Sequence, residues 1–275
     1  MTTVTLPLPP AHLATAADPM APARQALAVM AVLAVPTMLA AGLDDRLLNG
    51  VSVWSKPLKF QAALLLHFAT LLWLAPLLAA ERMSTRLFRI SLSTAALMAI
   101  LEIAYITLQA ARGRTSHFNT DTPLEQALYS LMGVGATAIV AASFLFGWLI
   151  WRSPSPGDGR RANFKTAAAL GLMAGSVLTL VIGGYLGSQA SHWIGGDPTD
   201  ATGLPITGWS TTGGDLRPAH FLATHMMQVV PVIALVLDRL RIPVAATWLA
   251  AATYLAITVA VALQAVMGSP LIAGG

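Results

Sequence analysis

Three residues of this chain carry chemistry where polar side chains are costly: His67, Glu102 and His225, each inside a long apolar stretch. An ionisable group in hydrocarbon costs at least about 2–3 kcal/mol, so each is expected to face a bundle interior or water. Neutral imidazole is the commonest metal ligand, and two imidazoles with one carboxylate form an accepted shell for zinc or non-haem iron. Two histidines can equally be the axial pair of a haem b. Burial raises a carboxyl pKa, which suits Glu102 to proton relay or general-base work as well as to ligation. The metal-ligand candidates are therefore His67, His225 and Glu102, with His220 as a further one. His220 and His225 are five residues apart, about 140° around a helix, so the two do not both aim straight at one ion.

The neighbours extend the pattern. Glu102, Tyr105, Gln109 and Arg112 fall at i, i+3, i+7 and i+10, one polar stripe along a helix. Lys56 and Lys59 precede His67 on a shared face, Gln228 follows His225 on another, and Arg217 stands eight residues before His225. Glu102 and Tyr105 are the candidate catalytic groups. Lys56, Lys59, Arg112, Arg217, Gln109 and Gln228 are the candidates for holding a cofactor, the cations pairing with haem propionates. Counted from the ends of their helices, His67, Glu102 and His225 all lie roughly 12 Å below one face.

Such residues need helices to hold them, and the composition supplies little else. The chain has 275 residues, 56% apolar and 10% charged, with no cysteine. A soluble domain carries about 25% charged residues, so most of this surface must face lipid. Without cysteine there is no disulfide, thiolate metal site, iron–sulfur cluster or thioether-linked haem. The small net charge of +4 comes without basic runs, which argues against nucleic acid as a partner.

The expected fold is an all-α, polytopic membrane helix bundle. Residues 1–23 read as a loose tail, and 24–270 as one seven-helix domain. The spans expected are 24–43, 57–80, 86–111, 123–151, 164–189, 216–238 and 242–267, each long enough to cross about 30 Å of hydrocarbon. The first span follows a 23-residue leader with a single Arg24, which fits a signal peptide poorly. Thr122-Pro123-Leu124-Glu125 reads as a capping box. Ser55 and Asp215 are expected to cap helices ahead of Pro57 and Pro218. Pro36 and Pro231 lie inside spans. Gly171/Gly175 and Gly183/Gly187 are small-xxx-small pairs expected to let the fifth span pack closely on a neighbour. Trp54, Trp193 and Trp209 fit an interfacial belt. Nine Lys and Arg lie in the three short connections on one side of the membrane, against seven on the other. That orients the amino terminus outside and the carboxyl terminus in the cytoplasm, in a bacterial-type inner or plasma membrane, with the polar connections 44–56, 112–122 and 190–215 outward.

Three functions suit this layout. The favoured one is a membrane oxidoreductase with haem b or a single divalent metal, zinc or iron, served by an electron donor or a small amphiphilic substrate. The second is a metal-dependent hydrolase of lipids or small amphiphiles, zinc activating a water. In architecture this is similar to the alkaline ceramidase and adiponectin-receptor group. That group calls for a late His-x-x-x-His, whereas His220 to His225 is one residue longer, so no family match is made. The third is a receptor, channel or carrier binding an anion in a vestibule of Lys56, Lys59, Arg112, Arg114 and Arg217. No Walker loop, dinucleotide fingerprint or Gly-x-Ser-x-Gly elbow is present.

Overall fold

The computed structural model describes residues 18–155 and 159–274, the side chains of 159–161 excepted. In chain order the helices are α1 (Ala21–Leu43), α2 (Ser55–Leu74, continued by a 3-10 turn to Leu77), α3 (Ala80–Met83), α4 (Arg86–Ala111), α5 (Pro123–Arg152), α6 (Gly159–Ser188), α7 (Leu216–Arg239) and α8 (Ala245–Val266). Seven of them, all but the single turn α3, are long and apolar enough to cross a membrane. In hydrocarbon each backbone N–H and C=O must be satisfied within its own segment, and a helix does this. The chain is thus an all-α polytopic bundle of an integral membrane protein. The span ends fall within three residues of those expected from hydropathy. Of the expected tail, residues 1–17 lie outside the described residues, and α1 begins at Ala21.

Two short ribbons lie in the connections. β1 (Leu47–Leu48) pairs antiparallel with β2 (Val51–Ser52), and β3 (Trp193–Ile194) with β4 (Gly214–Asp215). With the 112–122 connection they gather at one end of the bundle, the loop-rich face.

The helix starts repay comparison with their sequence signals. Asp215 caps α7, its carboxylate accepting from the N–H of Arg217 at 3.0 Å. Thr122 caps α5, its hydroxyl accepting from the N–H of Glu125 at 3.2 Å. Only half the capping box forms, because the Glu125 carboxylate turns to Arg114 instead. Ser55 is the first residue of α2 and not its cap; Trp54 holds that position with no side-chain cap bond. The Trp54 indole donates to Asp44 at 2.8 Å, so it is buried against the β1–β2 connection.

α4, α5, α6 and α7 pack in succession as an arc, α8 lies on α7, and α1 packs on α2 and α4. α2 crosses the open side of the arc. It packs on α4 directly, reaches α6 through the rings of Trp73 and Phe164 (5.4 Å), and reaches α7 through Gln228 Nε2, which donates to Thr70 Oγ1 at 3.1 Å. The backbones of α2 and α7 scarcely approach one another. The apolar core, with Phe68, Leu71, Phe88, Ile103 and Phe146, sits among α2, α4 and α5. The partner of the Gly171/Gly175 pair is α7: a Cβ on Gly171 would stand 2.9 Å from the Met226 carbonyl, and one on Gly175 3.0 Å from that of Ala223. Gly183 and Gly187 divide their duties, the first lying under the His220 ring and the second towards the Tyr129 hydroxyl of α5.

Candidate functional site

His67 of α2 and His225 of α7 stand near enough for the charge of His225 to bear on His67. His67 is buried, edge-on to Phe68, with Nε2 3.4 Å from Ser143 Oγ of α5. The Ser143 hydroxyl already donates to the Ile139 carbonyl at 3.1 Å. Its lone pair therefore faces His67, which assigns the imidazole hydrogen to Nε2 and leaves Nδ1 as an acceptor. His225 is half-buried and stacks on Phe221, ring centres 4.1 Å apart. One turn deeper on both helices, Thr70 and Gln228 make the bond that joins α2 to α7 and floors the site.

Glu102 is buried on α4, and the cation whose charge bears on it is Lys56. Lys56 Nζ sits 5.9 Å from the Phe60 ring centre, a cation–π approach. His220 lies within reach of the charge of His225. His117, from the 112–122 connection, joins the group between the rings of Phe60 (5.5 Å) and Tyr129 (5.8 Å). Burial, and after it Lys56 and His220, hold the His117 pKa well below the ordinary imidazole value. Sequence reasoning did not find His117 or Ser143. Neither has a periodic partner: His117 sits in a loop, and Ser143 is a lone hydroxyl in an apolar helix.

Three of the four residues of the polar stripe, Tyr105, Gln109 and Arg112, meet around a partner from the next helix, while Glu102 stands apart near Lys56. Gln109 is fully buried, donating to the Tyr105 hydroxyl at 3.0 Å and to Glu125 Oε1 at 3.5 Å. Arg112 donates to Gln109 Oε1 at 2.8 Å and lies 3.5 Å from Glu125, while Arg114 meets the same carboxylate at 2.8 Å. Arg217 is engaged as well, by Asp215 (2.6 Å), Asp200 (2.8 Å) and the Gly208 carbonyl (2.7 Å). Lys59 donates to the Thr207 carbonyl at 2.9 Å.

The last two contacts tie the 190–215 connection down over the site. Trp209 packs on Phe221 at 5.6 Å, and His192 on Phe118 at 6.2 Å. His192 Nε2 stands 3.5 Å from Asp200. Burial holds the His192 pKa below its usual value despite that carboxylate. Asp200 is half-buried, but its bonds with His192 and Arg217 keep its carboxyl below the ordinary range.

Among the described residues, no three His, Asp or Glu side chains are grouped so as to hold a metal ion. The charge of His225 reaches His67, while that of Lys56 reaches Glu102. An apolar groove of about 460 Å³ between α7 and α8, lined by Leu237, Leu249 and Tyr254, lies apart and holds no histidine or carboxylate. No protein-family model, no curated protein sequence and no solved structure matches the chain.

Proposed function

We propose that this protein is a membrane oxidoreductase whose redox group, a haem or a single metal ion, is held between His67 of α2 and His225 of α7. The observation that carries this is the nearness of two imidazoles, one buried and one half-buried, on helices whose backbones scarcely approach and which the Gln228–Thr70 hydrogen bond joins a turn deeper. Two imidazoles supply the axial pair of a haem, or part of the shell of a metal ion completed by water or substrate. Glu102, Lys56 and His117, on the loop-rich side, would take up or release protons. The loop-rich face is then the outer one, with the amino terminus outside and the carboxyl terminus in the cytoplasm. An anion vestibule has less support, because Arg112, Arg114, Arg217 and Lys59 already have carboxylate or carbonyl partners.

The test is the visible spectrum and metal content of protein purified from its native membrane. A Soret band or a stoichiometric metal is expected. His67→Ala and His225→Ala should each lower cofactor content at least about tenfold, the usual scale for loss of a ligand's support. Neither band nor metal in folded wild-type protein would overturn the proposal.

A further inference from the structure

The groove of about 460 Å³ between α7 and α8 runs along only part of the two helices. Ile233 and Leu237 line it on α7, and Ala246, Leu249, Ala250 and Ile257 are among its residues on α8. From Ala246 to Ile257 is roughly 16 Å along the helix axis. That is one leaflet, half of a hydrocarbon core about 30 Å thick. It is the leaflet opposite the loop-rich face, because the lining residues lie towards the α7–α8 turn. Nearer the loop-rich face the two helices close. Val261 and Ala262 of α8 pack on the cluster of Ile182, Ala219 and Ala223, and the Tyr254 hydroxyl donates to the Leu222 carbonyl at 2.8 Å. A spanning helix laid here would find a groove for half its length. An acyl chain from one leaflet fits the whole of it.

The end of the groove is charged. α7 finishes in a tight turn, the Arg241 N–H donating to the Asp238 carbonyl at 3.1 Å and the Ile242 N–H to that of Leu237 at 2.9 Å. Arg241 thus stands one turn beyond Leu237, at a φ of +59° that favours glycine. Arg239 lies in the last turn of the same helix. Both arginines are exposed, and among the described residues neither side chain has a hydrogen-bond or ion-pair partner. Asp238, the acid between them and the groove, is half-buried and has a partner of its own. A guanidinium fork matches the paired oxygens of a phosphate. Two such groups therefore stand at the polar end of an apolar groove one leaflet long.

We propose that this groove holds an acyl chain of an anionic phospholipid from the leaflet opposite the loop-rich face, with the lipid phosphate at Arg239 and Arg241. The site makes no use of His67 or His225 and stands apart from the redox reading.

The experiment titrates the delipidated full chain in detergent with phosphatidylglycerol or phosphatidylcholine of the same acyl chains, and reads the first binding constant by native mass spectrometry. The anionic lipid should bind about fivefold to thirtyfold more tightly, the worth of one or two cations near an anionic headgroup. The double variant Arg239→Gln/Arg241→Gln should lower that ratio at least about threefold. Arg86→Gln/Arg89→Gln removes two exposed arginines from the start of α4, at the same end of the bundle and on a helix that does not pack on α7 or α8, and should leave the ratio unchanged. Ala250→Trp fills the groove and should weaken both lipids. Equal affinity of wild-type protein for the two lipids overturns the proposal. So does a ratio undiminished in the Arg239/Arg241 variant, or one that falls equally in both double variants, the mark of a general basic face. Ala250→Trp protein that binds both lipids as the wild type does would put the acyl chain outside the groove, and the proposal would fail.

Discussion

The Arg217 guanidinium bonds to two carboxylates and a carbonyl from three points of the chain, and it is the cation that lets Asp200 and the fully buried Asp215 lie side by side. Arg217→Ala leaves those carboxylates without it, a loss of about 3–5 kcal/mol for a broken buried pair. The expected result is local: amides of 195–213 exchange rapidly and become protease-sensitive while the deeper helices stay protected. Protection unchanged in that segment would show that β3–β4 pairing holds the loop unaided. Arg217→Lys should fall between, since an ammonium lacks the planar fork. At this scale the sequence is legible where burial is expensive. His67 and His225 declare themselves by standing in hydrocarbon. The partners of Arg217 and Arg112 do not, because Asp200 lies in an aperiodic loop and Glu125 imitates a capping residue. Tyr105, Gln109 and Arg112 were a stripe on paper, and the structure places them in one network around the carboxylate of Glu125.

Between elements, the close approach of α6 to α7 depends on glycines that face backbone. Gly171→Leu puts a side chain where the Met226 carbonyl and Pro231 Cδ stand 2.9 and 3.3 Å from its first carbon. The helices must part, and a loss of about 1–3 kcal/mol is expected, read as a lower thermal midpoint in detergent. Gly184, on the same helix, has nothing within 4 Å of its would-be Cβ. Gly184→Leu should leave the midpoint unchanged or raise it, since leucine is the better helix former. Equal effects from the two variants would sink this account. Hydropathy located the spans to within a turn because lipid imposes length and composition on each helix separately. It could announce that Gly171 and Gly175 meet a neighbour, but not that the neighbour is α7. The α2–α7 seam is still less legible, because it joins helices distant in sequence through a single side-chain hydrogen bond, Gln228 to Thr70.

Taken whole, the molecule holds two imidazoles, His117 and His192, in the connections of the loop-rich face, and that gives the fold a pH dependence with a definite sign. His117 has its pKa lowered by burial, then by Lys56 and His220. His192 has its pKa lowered by burial, with Asp200 and Asp215 opposing and Arg217 reinforcing. Both rings are neutral in the fold and protonate more readily when the chain unfolds. Above the ordinary imidazole value of 6.5 neither state binds the proton, and the stability is intact. As pH falls below it, the unfolded chain gains protons that the fold refuses, and stability declines until the folded pKa is reached. Each ring contributes a slope of at most about 1.4 kcal/mol per pH unit in that window. Asp200, lowered from 3.8, adds its own loss only at more acid pH, so the two effects separate. Thermal midpoints should thus be level from pH 8 to about 6.5 and fall towards pH 5. The double variant His117→Gln/His192→Gln should lose at least half of that slope. A double variant as acid-sensitive as the wild type would move the titration away from the loop-rich connections and into the spanning helices.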